Sequence, residues 1–129
     1  MNLKYSVFHV FVHVMIIFSL YYFFNLKIIP LIIVILGSAW IDFDHIFLVK
    51  RTGFRGYFKL RLDKELGKPR QYPLHNFLII MIAAMFSFAL LNPAKYFLGL
   101  FFLATFLHLC WDFLEDVIIF KMPIDHWEL

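Results

Sequence analysis

The chain has 129 residues, of which 63% are hydrophobic, 21% aromatic and only 16% charged. An ordinary soluble domain is about 45–50% apolar and about 25% charged, so this chain carries too little polar surface to cover a water-soluble globule. The formal net charge is +3, and the length allows one compact domain over residues 1–129.

Four apolar runs follow in chain order, at 6–24, 28–49, 74–91 and 94–120. A helix needs roughly 20 apolar residues to cross the hydrocarbon core. Backbone polar groups in lipid must be satisfied within the segment, which at these lengths means α-helices. The first run exceeds the roughly 7–15 residues of a signal-peptide core and has no small-x-small cleavage site, so a retained helix is expected. Asn25 to Pro30 and Asn92–Pro93 read as short connections, with proline suited to such breaks. The expected fold is all-α: a polytopic membrane protein, a four-transmembrane-helix bundle with a basic cytoplasmic loop between helices 2 and 3.

That loop, residues 50–73, holds eight of the twelve Lys and Arg residues against Asp63 and Glu65. Basic residues stay on the cytoplasmic side, which places the loop and both termini inside the cell (inner) membrane. Lys4 and Lys121 join the inner set, and Lys27 and Lys95 fall outside. Phe54, Tyr57, Phe58, Leu60 and Leu62 are interleaved with the loop's basic residues. That pattern fits a short interfacial helix, with anionic lipid headgroups as its partner. No nucleic acid is expected there.

The ionisable residues inside the runs gather at one depth under this topology. Asp42, Asp44 and His45 stand at the inner end of the second helix, and His75 opens the third. His9 and His13 lie in the first turns of helix one. Helix four starts outside, so at 1.5 Å per residue His108 is roughly 20 Å further in, with Asp112 a turn deeper. Membrane carboxylates are expensive and face a bundle interior or a cavity.

Helical spacing pairs His9 with His13 and His108 with Asp112, each four apart, and Asp42 with His45, three apart. Asp44 points about 160° away from Asp42 on a straight helix. Either it has another role or the second helix unwinds near Gly37–Ser38 or at its end. The metal-ligand set read from this is Asp42, His45, His75, His108 and Asp112, with His13 the best addition. His9 reads as an interfacial or packing residue.

Imidazole and carboxylate without thiolate suit Zn²⁺, Mn²⁺ or Fe²⁺, as one ion or two. A metal with an open position generates hydroxide near neutral pH, and Asp44 or Glu115 could take the proton. Glu115 and Asp116 also read as markers of the helix-four exit, and Asp125–His126 as an interfacial tail. The single Cys110 reads as a small packed residue.

At these residues, "DFDH", "PLHN" and "FLHLCWD", the chain resembles the membrane-bound metal-dependent hydrolases, the YdjM-like, LexA-regulated inner-membrane proteins. The resemblance carries over to His9 or His13, to Asp42, Asp44 and His45, to His75, and to His108 and Asp112. It implies a metal-dependent hydrolase. The chain departs from the family's H-R-G-x-T-H-S pattern at Arg70, Gln71, Leu74 and Asn76, so one ligand or substrate contact is absent there.

Two further functions compete. One is a non-catalytic membrane protein with a structural metal or an ion- or proton-handling His/Asp cluster. The other is an inactive relative serving as an interaction module.

Overall fold

The computed structural model describes residues 3–44, 50, 74–119 and 121, with side chains described from Phe8 onward and not at Asp44. Among them every regular element is helical. Helix α1 is Leu3–Phe24, α2 is Ile28–Ala39, α3 is Phe77–Leu90 and α4 is Tyr96–Leu114. A 3-10 turn, Trp40–Asp44, extends α2, and a π-helical turn, Glu115–Ile119, extends α4.

These boundaries refine the sequence reading. The second run is not one α-helix over 28–49: it tightens at Trp40, two residues past the Gly37–Ser38 pair. The third helix starts at Phe77, because Asn76 caps it by accepting a hydrogen bond from the Ile79 amide at 3.0 Å. Pro30 lies in the first turn of α2, where its missing N–H is one the helix could not have used. The connection before it is therefore only Asn25, Leu26 and Lys27.

That short connection has a specific stop signal. Asn25 adopts a left-handed φ of 46°. Its N–H reaches the Tyr22 carbonyl at 3.3 Å, and the Leu26 N–H reaches Tyr21 at 3.1 Å. This is a Schellman closure with asparagine in the position glycine usually fills, and the following apolar residue tucks inward. Leu26 is buried. At the other connection the Asn92 side chain accepts from the Ala94 and Lys95 amides, which starts α4.

Helix α4 is the hub. It packs most extensively against α3 and α2, and α1 lies more lightly on α2 and α4. Small residues let these helices approach closely, as they do in membranes. Gly37 of α2 faces the Phe101 backbone, and Gly99 of α4 faces the end of α3 near Leu90. Beside Gly37, the Thr105 hydroxyl donates to the Gly37 carbonyl at 2.7 Å and accepts from Trp40 Nε1 at 2.8 Å.

One apolar core, around Leu20, Leu26, Val34, Leu100 and Ala104, closes the end with the two short connections. Another, around Ile41 and Leu109, lies nearer the opposite end.

Only one helix among the described residues, Tyr96–Ile119, is long and apolar enough to cross a membrane. The other apolar helices, Phe8–Phe24, Ile28–Phe43 and Phe77–Leu90, are shorter. Their outward surfaces are nonetheless greasy: Phe11, Phe18, Phe23, Ile28, Met81 and Phe88 are all exposed. Cys110 is a half-buried free thiol on α4.

The close approach at Gly37 generates a test. A methyl group there would stand 2.3 Å from the Phe101 carbonyl oxygen and 2.9 Å from its Cα. Backbone, unlike a side-chain tip, cannot swing aside. Gly37→Ala is expected to cost about 1–3 kcal/mol through overpacking, read as a lower Tm of the detergent-solubilised protein. An unchanged Tm would show that α2 and α4 are not in this contact.

Candidate metal centre

Asp112 sits one turn below His108 on α4, so both side chains leave the same face. That face is where α1, the 3-10 turn and the start of α3 converge. Asp112 Oδ2 lies 3.0 Å from His108 Nε2 and 3.0 Å from His75 Nε2. Asp42, from the 3-10 turn, brings Oδ1 to 3.6 Å from His108 Nε2. Four donors, Asp42, His75, His108 and Asp112, thus lie within 4.8 Å of one another.

The other carboxylate oxygen faces α1. Asp112 Oδ1 is 3.3 Å from His13 Nε2. His9 and His13 approach through their Nε2 atoms at 3.1 Å. With Asp112 they form a second group of potential ligands. Glu115, at the first position of the π turn, reaches His9 Nδ1 at 2.6 Å.

Whether these residues fit a cation can be judged from spacing and from unmet polar atoms. Donors about 2.1 Å from a shared ion stand about 3.0 Å apart in an octahedron and about 3.4 Å apart in a tetrahedron. The distances around Asp112 fall on that scale. His108 is 1% exposed and Asp112 6%, yet neither His108 Nε2 nor Asp112 Oδ1 makes a hydrogen bond of sound geometry. Leaving such an atom unmet costs about 1–3 kcal/mol. A divalent cation would satisfy both. The set holds no thiolate, which suits Zn²⁺, Mn²⁺ or Fe²⁺.

His108 is braced from behind. Its Nδ1 lies 3.1 Å from Ser38 Oγ, in a fully buried contact. With a cation on Nε2, Nδ1 would carry the proton and donate to Ser38 Oγ, which would fix tautomer and ring plane together. His13 stacks on the other side of the ring at 4.0 Å. Asp42 is the outlying member, its side chain 41% exposed, so the cluster meets the surface at the 3-10 turn.

Of the residues expected from sequence, Asp42, His75, His108, Asp112 and His13 are brought together. Asp44, the final residue of the 3-10 turn, is placed only by its backbone. His45, Arg70, Gln71, the basic stretch 51–73 and Asp125–His126 lie outside the described residues.

Glu115, read as an exit marker or proton acceptor, is buried at 2% exposure against His9. His9, read as packing, belongs to the cluster. Ser38 was not singled out by sequence. Its signal was a hydroxyl in an apolar helix four residues before Asp42, on the same face.

No protein-family model, curated protein or solved structure matches the chain.

Outer partners of this kind are worth about 10–100-fold in metal affinity. Ser38→Ala is expected to weaken Zn²⁺ binding by that factor in a chelator-competition titration. Ser87→Ala, at a buried serine whose hydroxyl donates to the Ala84 carbonyl, is expected to leave it unchanged. Equal affinities for Ser38→Ala and the wild type would remove the bracing role.

Proposed function

We propose that the chain is a four-span membrane protein whose His/Asp cluster holds a divalent cation for hydrolysis at the cytoplasmic face, on phosphate-ester or lipid-linked substrates. The observation that carries this reading is Asp112: a buried carboxylate 3.0 Å from two imidazoles, in a cluster drawn from α1, the 3-10 turn, α4 and the residues just before α3.

Helix α2 with its 3-10 extension rises about 28 Å, close to the roughly 30 Å hydrocarbon thickness. Helix α3 rises about 21 Å, which leaves His75 and the Asn76 cap inside the inner leaflet at the level of Asp112. The exposed apolar side chains of all four helices then face lipid. Lys27 and Lys95, both exposed, mark the opposite surface. The basic residues of 50–73 supply the inner charge and attract anionic headgroups. The resemblance to the YdjM-like hydrolases supports the same assignment.

When bound, the cation supplies Lewis acidity and a water of lowered pKa. The residues of the chain do the rest. Ser38 holds the His108 imidazole through Nδ1. Asp42, at the rim, shares its charge with solvent and stands where a substrate from the headgroup region would arrive. Asp44, on the same 3-10 turn, is assigned the proton acceptance that hydrolysis requires.

Ion conduction is the weaker reading. Among the described residues, α1 beyond His13, all of α2, all of α3 and α4 before His108 contain no Asp, Glu or His. A relay would have nothing to step on toward the outer surface.

Metal analysis of purified protein is expected to find bound divalent metal in the wild type and at least tenfold less in Asp42→Ala and His108→Ala, with helix content by circular dichroism retained. Affinity should fall as pH drops from 8 to 6, because imidazole must give up its proton to bind metal. Loss of hydrolysis of bis(4-nitrophenyl) phosphate should track the loss of metal. Equally negligible metal in all three proteins would eliminate the reading.

Orientation is checked separately in a Cys110→Ser background. A cysteine at Lys50 should react with impermeant maleimide only in opened cells, and one at Asn92 in intact cells. The reverse pattern would invert the topology.

A further inference from the structure

The α1 side of Asp112 contains a proton shortage that no choice of tautomers resolves. His9 Nδ1 lies 2.6 Å from Glu115 Oε2, so that nitrogen carries a proton and donates to the carboxylate. In a neutral ring His9 Nε2 is then a lone pair. It faces His13 Nε2 at 3.1 Å. That same His13 atom lies 3.3 Å from Asp112 Oδ1. One N–H cannot serve both acceptors well, and Asp112 Oδ1, like His13 Nδ1 on the far side of that ring, is buried without a hydrogen bond. Protonating His9 as well sets two N–H groups against each other across 3.1 Å if His13 carries its proton on Nε2, and otherwise turns the His13 Nε2 lone pair toward Asp112 Oδ1 at 3.3 Å.

We infer that this pocket is a second cation site, with His9 Nε2, His13 Nε2 and Asp112 Oδ1 as its protein ligands. Asp112 then bridges two ions, Oδ1 to the α1 side and Oδ2 to the His75–His108 side. The inference rests on the metal-dependent reading above and deepens it. A cation accepts all three lone pairs at once, and the 3.1 and 3.3 Å spacings suit neighbouring ligands on one ion.

Glu115 becomes the positioning residue of this site. Bonded to His9 Nδ1, it fixes the tautomer that presents Nε2 and raises the basicity of the ring. Ser38 does the equivalent for His108 on the other side. The two halves are thus built alike, each with an imidazole whose far nitrogen is held by a buried side chain.

A bridged pair narrows the substrate class. Two cations sharing a carboxylate can stabilise both the attacking and the leaving oxygen of an in-line displacement at phosphorus. The expected substrate is therefore a phosphate ester presented by a headgroup or a free phosphoester, in preference to other lipid-linked groups.

The experiment is metal stoichiometry on the full chain in detergent, loaded with Mn²⁺ and desalted. Two ions per wild-type chain are expected, with the multiline electron paramagnetic resonance signal of a coupled pair. His9→Ala/His13→Ala should hold one ion and give an isolated Mn²⁺ spectrum. Glu115→Gln should weaken the second ion about 10–100-fold and leave the first unchanged.

One ion in the wild type, or two in the double variant, overturns the bridged pair while leaving the single-ion hydrolase standing. No ion in the wild type overturns both and leaves a metal-free histidine–carboxylate network. The wild-type count alone decides between these, whether or not the double variant folds.

Discussion

Asp112 is a carboxylate buried among apolar helices, and it is tolerated there because imidazoles from three directions crowd around it. His108 comes from its own helix, His75 from just before α3 and His13 from α1, at 3.0, 3.0 and 3.3 Å from one of its oxygens. An isolated buried charge would be untenable. A charge that gathers polar partners instead fixes where the partner helices stop and how they turn. The short α3, its cap at Asn76 and the 3-10 end of α2 all bring polar groups to this level, while the rest of each helix stays apolar.

The supporting scaffold follows from small residues and local stop signals. Gly37 and Gly99 let backbones touch where a Cβ would collide, which locks α4 against α2 and α3. Thr105 meets both the Gly37 carbonyl and the Trp40 indole, so the place where α2 tightens is fixed from α4. Ser38, one residue after Gly37, is thereby set behind His108. Packing and site share the same contact, and moving α2 along α4 would disturb both.

Much of this is legible in the sequence. Apolar runs give the helices, and four-residue spacing pairs His108 with Asp112 and His9 with His13. Counting depth from the basic loop brings Asp42 and His75 to the same level. Helical periodicity tells which face a residue occupies but not which neighbour that face meets. That is why the roles of His9, Glu115 and Ser38 are not legible: each is defined by a partner far away in the chain, Glu115 for His9 and His108 for Ser38. The tightening at Trp40 is likewise a tertiary effect, since nothing in "GSAWIDFD" forbids a continued α-helix. Helix α3 is shorter than the apolar run 74–91 for a local reason, because Asn76 offers a cap inside that run.

The central claim is that imidazoles of separate helices and the carboxylate of Asp112 ligate the same cation centre. X-ray absorption at the zinc edge of the Zn²⁺-loaded protein tests this most directly. The account predicts a first shell of nitrogen and oxygen at about 2.0–2.1 Å, with the outer-shell pattern of at least two imidazoles and no sulfur. A shell of oxygen alone, without imidazole scattering, or a sulfur contribution at about 2.3 Å from Cys110, would contradict it.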